Sequence, residues 1–244
     1  MKFHFLTIFP EMIESYLSEA MLRRASEKKL VSFDVKNIRD YTLDKHKKVD
    51  ERPYGGGPGM VMTPEPILRA YNKLKLSLKR GQSPKVKVVM LSPTGAMFTN
   101  TMAAKWAKSY SDVVFICGRY EGVDDRVRTI LKAEEVSIGD FVLTGGELPA
   151  LVMTDAICRQ IPGVLGTHES VEELRNASPR VFTRPEVLVW PHSAKTMRGT
   201  PTSAKSGKTT KIVKPKKYAV PPVLISGDHK KIEEWRKNQK NFDI

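Results

Sequence analysis

The sequence predicts an α/β fold with a mostly parallel sheet. Short apolar runs that resemble buried strands alternate with helix-length amphipathic segments over the first 161 residues, and this alternation is typical of βαβ units. Glycine-bearing turns follow three of the predicted strands. Hydrophobic residues make up 40% of the 244 residues, which is enough to build a substantial core.

Each element rests on its own local pattern. The predicted strands are apolar or alternating runs at residues 3–9, 31–38, 86–91 and 113–117, followed by a short strand and turn at 136–143. The predicted helices cover residues 10–22, 63–74, 100–109, 123–132 and 146–161. Pro10 and Pro64 favour the starts of the first two helices, because proline suits the first helical position. A long loop, residues 40–62, separates the second strand from the second helix.

A second, smaller unit is predicted after the sheet domain. We expect a domain at residues 1–161, an interdomain linker at 162–183 and a small, mostly helical C-terminal domain at 184–244. Within the last, residues 195–217 carry eight basic residues and no acidic one, so this Lys-rich segment is predicted to be disordered when free. Gly227 and Asp228 then favour the start of a helix through Trp235.

Charge and cysteine content indicate the partner and the compartment. The net charge is +14, and residues 191–244 supply +9 of it with 13 Lys/Arg and 4 Asp/Glu. A polyanion, most naturally a nucleic acid, is the expected partner. Cys117 and Cys158 are interpreted as small buried apolar residues rather than a disulfide framework. We see no signal peptide or membrane-length apolar run, so a cytoplasmic location without membrane contact is predicted.

Two kinds of glycine-rich segment indicate a ligand site. The run from Arg52 to Met60 combines four glycines with two prolines, so it reads as a stiff loop that a flat ligand could approach closely. Turns at 91–95, 117–122 and 138–149 follow predicted strands, and ligands of open α/β sheets bind beyond the carboxyl ends of the strands. Together these turns could form one pocket for adenine or a similar heterocycle.

Several familiar sites are excluded. Ser206-Gly207-Lys208-Thr209 lacks the upstream glycine and the strand of a phosphate-binding loop. No G-x-G-x-x-G follows a strand, no zinc spacing exists, and no nucleophile elbow is present.

The pattern of these segments resembles the bacterial tRNA (guanine-N1)-methyltransferase family of the SPOUT class. The matching stretches span most of the chain in the family's order: residues 3–10, 46–60, 91–93, 117–125, 137–149, 161–166, 183–187 and 221–227. The resemblance implies a deep trefoil knot in the sheet domain and a homodimer with shared active sites. It also implies methylation of N1 of the guanosine immediately 3′ of the anticodon in tRNA, with S-adenosylmethionine as the methyl donor.

The resemblance also implies a set of site residues. Arg159 matches the active-site arginine, Glu121 matches a glutamate of the target-guanine pocket that could act through Mg²⁺, and Pro58 and Gly59 match positions near the target base. The competing interpretation of Glu121 is a turn carboxylate paired with Arg119 or Arg126. The cofactor-binding positions are Leu91, Ser92, Pro93, Gly118, Tyr120, Ile138, Gly139, Asp140, Phe141, Val142, Leu143, Gly145, Gly146 and Pro149.

The linker departs from the family pattern. The family's catalytic base is a linker aspartate, but no aspartate lies between Asp155 and Asp228. Glu173 is our first candidate for the base, with Glu172 and Glu169 as alternatives; the competing interpretation is that these glutamates cap a short helix. The short C-terminal domain with its Lys-rich segment is a second departure.

Two alternatives to a tRNA methyltransferase remain open from sequence. One is a non-catalytic RNA-binding relative that retains the cofactor pocket, which only the altered linker favours. The other is an unrelated nucleotide-dependent phosphotransferase, which the failed phosphate-loop spacing opposes.

Overall fold

A computed structural model of the chain describes residues 1–78, 85–165, 180–190 and 216–238. The chain divides into two units, residues 1–171 and 172–244, and each is described by itself. No helix within the described part of the chain has both the length and the apolar character to cross a membrane.

The first unit is built on a five-stranded sheet whose strands are all parallel, with the order β2-β1-β6-β5-β7. The predicted α/β class is therefore confirmed. The strands of this sheet are β1 (Lys2–Thr7), β2 (Ser32–Asn37), β5 (Val86–Met97), β6 (Asp112–Ile116) and β7 (Glu134–Ser137). A short hairpin, β3 (Asp50–Glu51) with β4 (Val61–Met62), lies within the long predicted loop.

The neighbouring strands β1 and β6 are buried on both faces, with His4 and Asp112 among their buried polar residues. Alternate residues pack into separate clusters: Phe5 and Phe115 lie on one face, where their rings stack at 5.5 Å, and Leu6 and Ile116 lie on the other. This period of two is what a strand imposes on its side chains.

Helices cover both faces of the sheet. In the first unit they are α1 (Pro10–Leu17), α2 (Ala20–Glu27), α3 (Pro64–Leu78), α4 (Asn100–Ser109), α5 (Asp125–Leu131) and α6 (Glu147–Arg159), with a 3₁₀ turn at Ile38–Tyr41. Five of these begin within two residues of the predicted start. The prediction of a single helix from residue 10 to 22 was wrong, because α1 ends at Leu17 and a sixth helix, α2, follows it. The Ser18 amide caps α1 by donating to the Glu14 carbonyl at 3.0 Å, and a new helix then buries Leu22 and Ala25.

Two strand boundaries also differ from the prediction. The strand predicted at 86–91 continues to Met97, with a register shift between Leu91 and Ala96 where it pairs with β7. In the strand and turn predicted at 136–143, the strand begins earlier, at Glu134, and ends at Ser137, where Ser137 Oγ donates to the Gly139 carbonyl at 2.9 Å as the chain leaves the sheet. The two changed strand ends lie at the carboxyl edge of the sheet.

The second unit contains an antiparallel pair that the sequence did not predict. Its elements are β8 (Val187–Trp190), β9 (Lys216–Ala219), α7 (Pro222–Ile225) and α8 (His229–Asn238). Lys216 and Lys217 are therefore not disordered as predicted, since they pair with β8; residues 195–215 of the Lys-rich segment lie outside the described residues. Trp235 of the predicted C-terminal helix packs edge-on against Phe182, with 6.3 Å between ring centroids.

Buried His4 links two carboxylates at the opposite end of the sheet. Its Nε2 lies 2.9 Å from Asp112 Oδ1, and its Nδ1 lies 3.1 Å from Asp34 Oδ2. The hydrogen bond to His4, more than the nearby Lys36, lowers the pKa of Asp34 to about 2. A carboxyl with a depressed folded-state pKa stabilises the fold above its unfolded pKa of about 3.9, and this stability is lost as the pH falls towards 2.

We therefore expect Asp34→Asn to reduce the free energy of unfolding by about 1–2 kcal/mol at pH 6 and by much less near pH 2. Urea unfolding at both values measures the difference. Asp40→Asn, which removes an exposed pair with Lys47, is the matched control and should change the free energy little. Equal losses for Asp34→Asn at both pH values would contradict the assignment.

Candidate active site

A cavity of about 390 Å³ lies at the carboxyl edge of the sheet. Strands β6, β5 and β7 are parallel neighbours, so the three turns that follow or interrupt them meet there. Of the predicted cofactor-binding residues, Asp140 does not line the cavity. The other thirteen line it: Leu91, Ser92, Pro93, Gly118, Tyr120, Ile138, Gly139, Phe141, Val142, Leu143, Gly145, Gly146 and Pro149.

The turns are packed backbone against backbone. A Cβ added to Gly146 would lie 2.8 Å from Cys117 Cα and 3.0 Å from the Gly118 nitrogen, so only glycine lets these two turns touch. The Gly146 amide donates to the Gly118 carbonyl at 2.9 Å. Tyr120 has a positive φ of 60°, an uncommon conformation for a large residue that concentrates at functional sites.

The first glycine run borders the same cavity through Glu121, which is itself a lining residue. The Glu121 amide donates to the Met60 carbonyl at 3.0 Å, and Gly59 is packed so closely on the Glu121 side chain that a Cβ there would overlap it. Pro58 lies next to this contact along the chain. Positive φ values confirm that the run uses the conformational freedom of glycine: they occur at Gly55, Gly56, Gly57 and Gly59.

The two arginines near Glu121 have other partners. Arg119 Nε donates to Glu147 Oε2 at 2.9 Å, and the Arg126 guanidinium forms two bonds to Asp124 at 2.8 and 2.6 Å. The structure therefore contradicts the interpretation of Glu121 as a carboxylate paired with either arginine. Its side chain is positioned by Gly59 and faces the cavity rim.

Sequence reasoning missed the buried network that holds the third turn. Glu147 is 1% exposed and accepts a hydrogen bond from Thr7 Oγ1 at 2.6 Å in addition to its bond from Arg119. An acidic residue directly after Gly-Gly in a first helical turn was the available signal. Its arginine partner stands 28 residues away and could not be identified from sequence.

A second cavity, of about 770 Å³, lies between the β3–β4 hairpin loop and α5. It shares Val123 and Asp125 with the first cavity, and the fully exposed Tyr54 lines it. The two cavities are therefore neighbours.

Arg159 is the predicted site residue that lies at the opposite end of its helix from the cavity. It is the last residue of α6, whereas Gly146 precedes the first, so about 20 Å of helix separates them. Arg159 does not line the first cavity. Glu169, Glu172 and Glu173 lie outside the described residues.

The described residues contain no cluster of His, Cys, Asp and Glu that could hold a metal ion.

Both cysteines are buried, as predicted. Burial, with a smaller contribution from Glu147, raises the pKa of Cys117, and burial raises that of Cys158 to about 12. Neither thiol is a nucleophile at neutral pH.

Comparison with known proteins identifies relatives over nearly the whole chain. Residues 1–243 match the protein-family model described as tRNA (Guanine-1)-methyltransferase TrmD. Proteins named tRNA (guanine-N(1)-)-methyltransferase are similar: that of Clostridioides difficile is 41% identical over 98% of this chain and 92% of its own length. Those of Staphylococcus haemolyticus and Thermomicrobium roseum are 39% and 41% identical, over 98% and 97% of this chain and 86% and 78% of their own lengths. The chain thus belongs to the tRNA (guanine-N1)-methyltransferase family.

Proposed function

We propose that this enzyme transfers a methyl group from S-adenosylmethionine to N1 of the guanosine immediately 3′ of the anticodon in tRNA. The observation that carries the proposal is the cavity formed by three glycine-bearing turns at one sheet edge, in a chain of this family. Nothing in the fold or the comparisons favours the non-catalytic alternative.

The cavity suits S-adenosylmethionine. Its volume of about 390 Å³ lies within the usual range for small-molecule sites. Gly118, Gly145 and Gly146 carry no Cβ, so a ligand can approach the main chain closely. Leu91 and Ile138 offer apolar surface to a flat ring. When bound, S-adenosylmethionine supplies a methyl group that its sulfonium already activates.

The remaining chemistry falls to the protein. Guanine N1 carries a proton, so a base must remove it, and the negative charge then spreads to O6. The Arg159 guanidinium would stabilise that charge, because a fixed cation interacts most strongly with charge that develops in the transition state. The target guanine would be held with its N1 in line with the methyl carbon by Pro58, Gly59 and Glu121. Glu121 is also the carboxylate at which Mg²⁺ would bind, and loss of transfer after chelation would test that role.

The position of Arg159 supports the proposal of a homodimer with shared sites. Within one chain Arg159 lies at the far end of α6, about 15 Å along the helix from the lining residue Pro149, so Arg159 of a second copy would complete the site. An exposed apolar face on α1 and α6 supports this assembly, since a contiguous apolar patch on a soluble protein marks an interaction surface. Phe9, Met12, Tyr16, Leu148 and Val152 form this dimer face.

We expect Val152→Glu to shift the protein towards monomers, because Val152 is 44% exposed at the centre of the dimer face and a buried unpaired carboxylate is costly. Sedimentation velocity measures the change. Ile130→Glu alters an exposed apolar residue on α5, outside the dimer face, and should leave the oligomeric state unchanged. A wild-type protein that sediments as a monomer at micromolar concentration would refute the dimer.

The catalytic base is proposed to be a linker glutamate, with Glu173 the first choice. Glu173→Gln should preserve cofactor and tRNA binding but slow single-turnover methyl transfer, most severely at low pH, where proton removal limits the rate. Glu172→Gln and Glu169→Gln are the matched variants. Full rates in all three would place the base elsewhere.

The basic C-terminal domain, residues 184–244, is proposed to bind the tRNA, and residues 1–161 are proposed to bind the cofactor. The proposed location of the enzyme is the cytoplasm. The +9 charge beyond residue 190 and the exposed Lys216 and Lys217 on β9 support an electrostatic contact with phosphates. Residues 162–183 connect the two as a linker.

The sheet domain is proposed to contain a trefoil knot. After β7 at the sheet edge, the chain passes against the Cys117–Gly118 turn, and α6 then packs on α1, α4 and β1. The close packing of these two turns supports the proposed knot, a feature that other folds almost never contain. Stretching single molecules should leave the chain shorter than its full contour length.

Methyl transfer to an unmodified tRNA transcript tests the function. We expect one methyl group per tRNA, located by mass spectrometry on the guanosine 3′ of the anticodon, and none on a transcript with adenosine at that position. Binding of both ligands without any transfer would establish the non-catalytic alternative instead. ATP should not compete with S-adenosylmethionine for binding. Competition by ATP would support the phosphotransferase hypothesis instead.

A further inference from the structure

A largely buried ion pair joins three elements at the wall of the cofactor cavity, which Arg119 itself lines. Arg119, in the turn after β6, bonds Glu147 at the start of α6, and Glu147 also accepts a hydrogen bond from Thr7 at the end of β1. The two charged side chains are 15% and 1% exposed. Because a buried charge without a partner is very unfavourable, the pair constrains both turns to one relative position.

The rest of the Arg119 guanidinium is also occupied. Nη1 donates to the Thr144 carbonyl at 3.2 Å, Nη2 lies 3.0 Å from Met12 Sδ, and the group lies over the Phe9 ring, 4.8 Å from its centroid. Gly145 rests directly on this side chain, where a Cβ would overlap it. The planar fork of arginine can make these contacts at once, whereas a lysine ammonium cannot.

Packing alone does not hold the loop that Arg119 touches. The apolar residues at its tip, Phe141, Val142 and Leu143, are all exposed, and Val142 is 82% exposed. The loop is otherwise anchored at its ends, by Ser137 Oγ to the Gly139 carbonyl and by the Gly146 amide to Gly118. The bond to the Thr144 carbonyl is therefore a main constraint on the shape of residues 139–146.

We propose that Arg119 is a positioning residue for the cofactor: acting through Glu147 and the Thr144 carbonyl, it holds residues 139–146 in the conformation that binds S-adenosylmethionine. This proposal rests on the proposed function, because it assigns the loop to the cofactor. A merely structural ion pair would stabilise the whole domain. A positioning pair affects the loop and the ligand more than the sheet, since buried ion pairs add little net stability over apolar residues.

Hydrogen exchange and calorimetry on the full chain test the proposal with Arg119→Met, Glu147→Gln and the double variant. In the free double variant, which leaves no unpaired buried charge, amide exchange in residues 139–146 should accelerate while exchange in β1 and β6 stays unchanged. The dissociation constant of S-adenosylmethionine should rise roughly tenfold or more, in proportion to the lost population of the competent loop. The double variant should be no worse than either single one, because both act through one contact. Arg126→Met removes an exposed arginine from its pair with Asp124, and it should change neither the amide exchange of the loop nor the dissociation constant of S-adenosylmethionine.

Arg119→Lys keeps a charge for Glu147 but not the fork, so it should recover part of the affinity. If Arg119→Met does not fold, the proposal is tested with Arg119→Lys. Full cofactor affinity in Arg119→Lys overturns the proposal. Unchanged loop exchange, or additive losses in the double variant, also overturn it. If the wild-type protein binds no S-adenosylmethionine, the proposed function fails, and loop exchange in the free protein still decides whether Arg119 holds the loop.

Discussion

Replacing Arg159 with alanine should lower the single-turnover rate of methyl transfer by roughly 10²–10³, the usual cost of removing one donor from a developing oxyanion. Cofactor affinity should change little, because Arg159 lies at the far end of α6 from Gly146 and does not line the cavity of its own chain. A loss in the rate without a loss in binding is the signature of an interaction made in the transition state. A near-normal rate would make Arg159 a structural residue.

Mixing variants would show whether the site is shared between two copies. We expect Arg159→Ala and Glu121→Gln homodimers each to transfer methyl groups slowly. A hybrid dimer would contain one site with Glu121 from one copy and Arg159 from the other, so a statistical mixture should recover about a quarter of the wild-type rate under twofold symmetry. If both residues of a site came from the same chain, every site in the mixture would be defective and no rate would be recovered.

The sheet could be predicted from sequence because its central strands leave an unambiguous signal. Most residues of β1 and β6 are apolar and buried, and the segments between the strands carry helix-starting prolines such as Pro10 and Pro64. The turns of the candidate site were predictable for a related reason: glycine and proline are placed by backbone geometry, which is local to the sequence.

Contacts between distant residues could not be predicted in the same way. Thr7, Arg119 and Glu147 meet only because the fold brings three chain segments together, and each residue alone is unremarkable in sequence. The exposed strands β8 and β9 lack the one-sided apolar alternation that reveals a strand. The break after Leu17 depends on capping by Ser18, which an apolar period running through to Leu22 conceals.

Gly146→Val should have the largest effect on cofactor binding, weakening it roughly 10- to 100-fold. Its Cβ would lie 2.8 Å from Cys117 Cα and 3.0 Å from the Gly118 nitrogen, so the backbone of one turn must move. Overpacking of this kind costs about 1–3 kcal/mol, and each 1.4 kcal/mol is about tenfold in affinity. Calorimetry with S-adenosylmethionine measures the loss, and a cooperative thermal transition would show that the domain remains folded.

Gly55→Val separates this overlap from the general strain of losing a glycine. Gly55 has a positive φ of 83°, so valine is strained there, but a Cβ at that position meets no atom within 4 Å. It lies in the first glycine run, which does not line the cofactor cavity at that residue, so cofactor affinity should be retained. Comparable losses in both variants would mean that the glycine runs act through loop flexibility. Loss in Gly146→Val alone would locate the requirement in the contact between the two turns, which is the contact that shapes the cavity.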